Sequence, residues 1–293
     1  MRVLITGSNG LLGQKIVKYC LANNIDFVAT SKGDNRNNSC SESNYKELDI
    51  TLQNQINDLF STVQPTHVIH TAAITNVDYC ELNPEECSLV NVTATEYLMS
   101  ATFNCKAHFQ LLSTDFVFDG EKGNYSEGDK VNPLSKYAVS KVKGEQLLMG
   151  SPETNWSIVR TIIVYGKADN LSRTNLIVWA KETLRSNGEM KIIDDQFRSP
   201  TFADDLAKGC MSILEKEKTG VYHLSGPETM SIYTIVERIA KFYNYSMENV
   251  VKMSSATLNQ PAKRPPRTGF SLTKAINNLE YSPRKLEDTL DEC

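Results

Sequence analysis

A tyrosine and a lysine stand four positions apart in "YAVSK", as Tyr137 and Lys141. The surrounding "NPLSKYAVSKVKGEQLL" has a helical pattern, and residues four apart on a helix share one face. A free tyrosine, with a pKa near ~10, is a poor acid or base at neutral pH. A cation on the same face favours the phenolate and lowers that pKa. A phenol tuned in this way can donate a proton to a carbonyl oxygen while a hydride reaches the carbon. Upstream, "HFQLLST" reads as a strand ending in Ser113 and Thr114, and strand carboxyl ends in open α/β sheets are where ligands bind. Thr114 would hold the same carbonyl oxygen by a hydrogen bond. Chance supplies about one Y-x-x-x-K in a chain of this composition, so the pattern alone is weak. A second copy, Tyr281 and Lys285 in "YSPRK", contains Pro283, which disrupts a shared helical face. Tyr137 opens a helix after a strand.

The stretch "TGSNGLLG" follows the first strand directly. Gly7, Gly10 and Gly13 permit a tight turn and a close approach of backbone to a pyrophosphate, with Asn9 inside the loop and Leu11 and Leu12 opening the next helix. The unpaired N–H groups and positive dipole end of that helix face the phosphates. The expected ligand is a dinucleotide. NAD-preferring sites carry Asp or Glu after the second strand to hold the ribose 2′-hydroxyl. Here Thr30, Ser31 and Lys32 occupy that place. Lys32 can pair with a 2′-phosphate and Arg36 is a second candidate, which favours NADP(H) over NAD(H); Asp34 is the carboxylate that could still swing in. Asp49 and Ile50 in "LDI", and Ala72 and Ala73 in "HTAA", lie at strand ends on the expected cofactor side, with Ser113 beside them.

Elements must position these groups. The strand candidates are residues 2–6, 26–30, 67–72, 108–114, 157–165 and 221–225, and helical patterns such as "LLGQKIVKYCLANN" and "SLVNVTATEYLMSATFN" alternate with the early ones. Such alternation predicts parallel βαβ units and an α/β, doubly wound parallel sheet of the Rossmann type. After Gly166 the alternation fades. The expected organisation is a dinucleotide-binding domain over 1–165, rejoined by about 201–226, and a smaller discontinuous substrate domain over 166–200 and 227–293. The polar stretch 31–44 is expected as a mobile loop.

The 293 residues, 40% hydrophobic and 23% charged, describe an ordinary soluble globular chain. A net charge of −4 offers no basic surface for nucleic acid. No apolar run approaches the ~18 residues of a membrane span. A strand beginning at residue 2 leaves no room for a signal peptide, and seven scattered cysteines without a C-x-x-C pair read as reduced thiols. A cytoplasmic protein is expected. The four histidines, His67, His70, His108 and His223, sit in or beside apolar runs and read as core residues rather than metal ligands.

The glycine loop, "HTAA", "STD" and "YAVSK", in this order, resemble the extended short-chain dehydrogenase/reductases. Within them the likeness is greatest to the dTDP-4-dehydrorhamnose reductases, through "AAITNVDYCE", "LVNVTAT", "STDFVFDG", "DDQFRSPTFADDLA", "GVYHLSG" and "AKRPPRTGFSL". The resemblance implies a catalytic triad of Thr114, Tyr137 and Lys141, with Lys141 also holding the nicotinamide ribose and Asn91 in support. It implies NADPH-dependent reduction of a 4-keto sugar on a nucleoside diphosphate, in a monomer or homodimer. The implied substrate-side residues are Thr75, Val77, Thr114, Asp115 and Ile163, with Arg198 and Arg264, and also Arg267, as candidates for the diphosphate; arginine's planar fork suits phosphate oxygens. The chain departs from the reductases at Phe116, where they commonly have tyrosine, and at Ile163, where they commonly have tryptophan; an isoleucine cannot stack on a pyranose as a ring can. No metal is expected. The resemblance leaves two alternatives: an epimerase or dehydratase that retains NAD, for which Asp115 in "STD" is an available acid, and a non-catalytic NADP-binding regulatory subunit like the β subunit of methionine adenosyltransferase.

Overall fold

A computed structural model describes residues 1–151 and 154–293. Strands β1 (Arg2–Thr6), β2 (Asp26–Ser31), β3 (Tyr45–Glu47), β4 (His67–His70), β5 (His108–Thr114) and β6 (Trp156–Thr161) join the strand Gly220–His223 in one sheet. Its order is β3-β2-β1-β4-β5-β6 and then Gly220–His223, and every neighbouring pair is parallel. The direction of winding reverses at β1, between β2 and β4, which opens a crevice at the carboxyl ends.

The alternation of side chains along β1 shows why the sheet is covered twice. Val3 and Ile5 enter one core with Ile16 and Val17 of α1 (Leu11–Ala22) and with Leu206 and Cys210 of the helix Ala203–Glu215. Leu4, between them, enters the opposite core with Ile56, Phe60, Leu98, Phe109 and Leu111. The period of two sends successive side chains to opposite faces, and both faces are apolar because both carry helices.

A further core forms from Ile177 and Leu184 on the helix Leu176–Arg185, Ile235 and Ile239 on the helix Ile232–Tyr243, and Tyr165, Phe202 and Leu290. It contains a parallel pair, Met190–Ile193 with Val250–Met253. Strands of two to four residues are too short to show a hydrophobic period, so these were absent from the sequence reading.

Three elements differ from expectation. The strand expected over 157–165 divides into Trp156–Thr161 and Val164–Tyr165. Ile163, between them, has φ +33°, and its carbonyl accepts from Thr201 N at 3.0 Å. Val164–Tyr165 then pairs with Thr201–Phe202 instead of continuing in the main sheet. The helix expected through "SLVNVTATEYLMSATFN" contains a π-helical turn, Leu89–Thr93, before Ala94–Asn104; such turns widen a helix locally and recur at functional sites. The 31–44 stretch is tied down. Asn9 Nδ2 donates to Asp34 O at 2.8 Å, Arg36 N donates to Asn9 Oδ1 at 2.8 Å, and Asn37 and Cys40 are buried.

The histidines carry a pH prediction. His70 is buried between the hydroxyls of Thr6 and Thr95, at 2.7 and 3.1 Å, and His223 is buried against Tyr125 O and Arg160. Burial pushes the pKa of each down to about 3. The unfolded chain takes up protons below its ordinary histidine value, while the folded chain resists until far lower pH. Stability is therefore expected to fall as pH drops from ~6.5 toward 3. Urea unfolding at pH 7 and pH 5 should show a lower midpoint at pH 5, with a smaller difference in His70→Gln; equal differences would remove His70 as a cause.

Candidate active site

The helix Lys136–Met149 is started by Ser135, whose side chain accepts from Ala138 N at 3.3 Å. This cap sets the helical phase that turns Tyr137, Lys141 and Glu145 inward; all three are buried. Opposite them β5 ends in Ser113 and Thr114. Thr114 Oγ1 accepts from Phe116 N at 3.2 Å and donates to Asp115 Oδ1 at 3.1 Å. The sequence thus brings Thr114, Tyr137 and Lys141 to one place, at the carboxyl end of a central strand.

The electrostatics of that place are set by burial. Burial raises the Tyr137 phenol well above its ordinary value, and Thr114 beside it opposes this only in part. The lowering expected from Lys141 does not govern the phenol here. Burial brings Lys141 down to about 8, with Glu145 acting to raise it. The site holds a protonated phenol and, one turn along the same helix, an amine whose charge burial makes harder to keep.

Asn91 ties the site together from the π-helical turn. Its Oδ1 accepts from Ile74 N at 2.8 Å, and its Nδ2 donates to Ile74 O at 3.0 Å and Ser140 Oγ at 3.0 Å. Ser140 Oγ in turn donates to Tyr137 O at 2.7 Å. One amide therefore couples the segment leaving β4 to the tyrosine helix. Val77 and Ile74 pack with Cys80, Cys87, Phe116 and Tyr137. Thr75 lies exposed in the same segment.

Phe116 meets the Tyr137 ring edge-on at 6.2 Å, and the Arg198 guanidinium lies over the Phe116 ring at 5.4 Å. Arg198 is buried, and its donors are spent inside the protein. They reach Phe197 O at 2.7 Å, Pro265 O at 2.6 Å, Pro266 O at 3.3 Å and Gln196 Oε1 at 3.4 Å, with Asp115 Oδ2 at 3.6 Å from Nε. Asp115 also accepts from Thr268 Oγ1. Burial raises the Asp115 carboxyl against the pull of Arg198. Arg198 thus holds the Pro265–Thr268 segment and has no fork left for a phosphate. Arg264 pairs with Asp78, and Arg267 lies over the Phe197 ring at 4.5 Å.

The glycine loop has the shape its spacing predicts. Gly7 has φ +71°, and a Cβ there would stand 2.7 Å from Ala72 N. At Gly13 a Cβ would stand 2.4 Å from Gly7 O. Side chains are excluded at both positions because backbone packs on backbone there, and among the described residues Ser8 Oγ is buried without a partner. The first turn of α1 has no acidic residue to repel an anion. Residues present therefore fit a dinucleotide. At the end of β2, the Thr30 hydroxyl is spent on Ile5 O at 3.1 Å, and Ser31 Oγ accepts from Asn9 N at 3.1 Å. Lys32 is 79% exposed in its side chain and pairs with Asp49 at 2.7 Å. Ile50 is buried beside it and Ala73 is half-buried beyond Ala72.

All 293 residues, 1–293, match the family model described as the RmlD substrate binding domain. The chain belongs to the RmlD family. This places it among the extended short-chain dehydrogenase/reductases, as the motifs indicated. It is similar to the dTDP-4-dehydrorhamnose reductase of Aggregatibacter actinomycetemcomitans, 30% identical and covering 96% of this chain and 94% of the relative. The dTDP-4-dehydrorhamnose reductase of Bacillus anthracis, crystallised in complex with NADP, superposes with a TM-score of 0.85 at 26% identity, covering 99% of this chain and 97% of that one. The methionine adenosyltransferase 2 subunit beta of Xenopus tropicalis is 29% identical over 83% of this chain and 72% of its own.

Within this RmlD-family site, several partners escaped the sequence reading. Glu145 accepts from Ser113 Oγ at 2.6 Å and from Arg160 Nε and Nη2 at 2.9 and 2.6 Å. Its signal was present, a carboxylate one turn beyond Lys141, but its partner lies on β6. Asp78 and Ser140 were likewise unidentifiable as partners before the chain was folded.

Proposed function

We propose that the protein reduces a 4-keto nucleotide sugar with NADPH, most specifically dTDP-4-dehydro-L-rhamnose to dTDP-L-rhamnose, with Tyr137 as proton donor. Family membership supports an NAD(P)-dependent oxidoreductase. The observation that carries the finer reading is the buried Thr114–Tyr137–Lys141 group at the carboxyl end of β5. Burial keeps the phenol protonated but also makes it a weaker acid, so donation relies on the Lys141 ammonium to stabilise the phenolate as it forms. When bound, NADPH would supply the hydride to the sugar's C4. Tyr137 gives its proton to the carbonyl oxygen, which Thr114 holds. The phenolate left behind is stabilised by the Lys141 ammonium, which below about pH 8 is largely charged.

In this reading Gly7, Asn9, Gly10, Leu11, Leu12 and Gly13 hold the pyrophosphate of the cofactor, Ala72, Ala73 and Ser113 line its path, and Ser31 and Lys32 face the adenosine ribose. The second core, over 166–200 and 227–293, serves as the sugar side, with Thr75, Val77, Asp115, Ile163 and Arg264 toward the substrate. The direct test is NADPH oxidation followed by absorbance with enzymatically generated dTDP-4-dehydro-β-L-rhamnose. Rapid oxidation with dTDP-rhamnose as product supports the proposal; no turnover with NADPH still bound removes this substrate.

Lys32 carries the cofactor preference. Lys32→Ala is expected to weaken NADPH binding roughly tenfold, as loss of a charge-assisted phosphate contact does, and to leave NADH nearly unchanged. Equal weakening of both would show that Lys32 does not read the 2′-phosphate. A second reading, that of a partner subunit, draws on the likeness to methionine adenosyltransferase 2 subunit beta. A stable hetero-oligomer without turnover would favour it.

A further inference from the structure

Arg264 is the cation assigned above to a substrate diphosphate, yet its charge already has a partner. Its Nη1 and Nη2 donate to Oδ1 and Oδ2 of Asp78 at 3.1 and 2.6 Å, a two-point fork. Asp78 Oδ1 also accepts from Ala262 N at 3.2 Å, and Arg264 Nη1 donates to Ala262 O at 3.1 Å. Asp78 lies in the first turn of the helix Val77–Leu82. The pair thus closes a contact between that helix and the proline-stiffened segment that follows Arg264.

Two observations put this contact at the site. Val77, adjoining Asp78, packs in the cluster that holds Tyr137. Arg264 lies close enough to Arg198 for its charge to act on it, and Arg198 stacks on Phe116, which meets Tyr137. A third observation leaves the contact open to exchange. The Arg264 and Asp78 side chains are 16% and 32% exposed, whereas Arg160 and Glu145 are each 2% exposed. A pair partly open to water gives up its partner at less cost than one sealed in the interior, where removing a partner leaves a charge uncompensated.

We propose that Asp78 is a counter-ion that a nucleoside-diphosphate substrate displaces: the Asp78–Arg264 pair straps the Ala262–Thr268 segment to the Val77–Leu82 helix until the diphosphate takes the arginine's fork. The inference rests on the nucleotide-sugar reading of the site. A diphosphate presents paired oxygens in the same plane as a carboxylate does, with more charge, so it competes for the same donors. Arg198 is not available for this exchange, because carbonyls and Asp115 occupy it. A neutral nucleoside or free sugar has no anion to exchange and leaves the strap shut. Asp78 thereby weakens diphosphate binding by competing for Arg264, and ties release of the strap to an anionic ligand.

Asp78→Asn keeps the shape and an acceptor for Ala262 N but removes the competing charge. Titration calorimetry with dTDP is expected to show roughly fivefold tighter binding than wild type, the scale of a partly exposed ion pair, with thymidine unaffected. Unchanged or weaker dTDP binding by the folded variant overturns the counter-ion role while leaving the nucleotide-sugar reading intact. A wild-type protein that binds none of dTDP, UDP and GDP overturns both. Should Asp78→Asn not fold, Arg264→Gln carries the test. Its dTDP affinity is expected to fall roughly tenfold, and wild-type affinity in that variant overturns the proposal.

Discussion

Tyr137→Phe is expected to lower turnover by ~10²–10⁴-fold, the range that general-acid catalysis supplies, while NADPH binding stays nearly intact. The phenylalanine ring keeps the contacts with Phe116, Cys80 and Cys87, so the fold around Lys141 persists. What disappears is the proton for the carbonyl oxygen. In the proposed reading the phosphate contacts lie on the glycine loop, more than about a hundred residues away in sequence and at a different strand end. The measurement pairs steady-state NADPH oxidation with fluorescence titration of NADPH on the same preparation. Turnover within about tenfold of wild type would remove Tyr137 as the donor. Loss of NADPH binding in parallel would mean that the hydroxyl acts on the cofactor and not on the substrate.

The second large effect concerns stability. Glu145 and Arg160 form a pair with both side chains only 2% exposed. Each is otherwise occupied, the carboxylate by Ser113 and the guanidinium by His223 and the Phe118 ring. Removing one member leaves a charge buried without compensation, which costs about 3–5 kcal/mol. Glu145→Ala is expected to lose that much in urea unfolding. Glu182→Ala provides the contrast, because the Arg185–Glu182 pair is exposed on both sides and such pairs contribute about 0–1 kcal/mol. Similar losses in the two variants would show that the Glu145 network is not a stability element. The position of Glu145 one turn after Lys141 also means that its loss removes the group acting to keep Lys141 charged.

The parallel sheet and the candidate site at its carboxyl end were legible because their signals are local. "RVLIT", "TGSNGLLG" and "YAVSK" each contain strand, turn or helix chemistry within a few residues, and the structure places β1, α1 and the Lys136–Met149 helix accordingly. The electrostatic partnerships were not legible. Arg264 reads as a free basic residue in "KRPPR", and only folding brings Asp78 to it across 186 positions. The tyrosine's pKa was misjudged for the same reason. Helical spacing supplies the lysine, but the apolar wall of Val77, Cys80, Cys87 and Phe116 comes from elsewhere, and its desolvation outweighs the cation. The second core stayed obscure because its strands have two to four residues.

Ile163 gives the molecule an unusual property. A β-branched residue at positive φ is a conformational outlier that costs of order 1–3 kcal/mol, and here the surrounding pairing with Thr201 imposes it. The direction of the side chain is therefore dictated by the backbone, between the second core and the cluster of Val117, Phe118 and Val142. Asparagine and aspartate meet a smaller penalty there than a β-branched residue does, and glycine meets none. The position behaves as a fixed socket: if it faces the sugar as proposed, exchanging its occupant alters that surface while its bearing stays constant. Substrate range in such a chain can drift by replacement at one point, without any rebuilding of the scaffold around it.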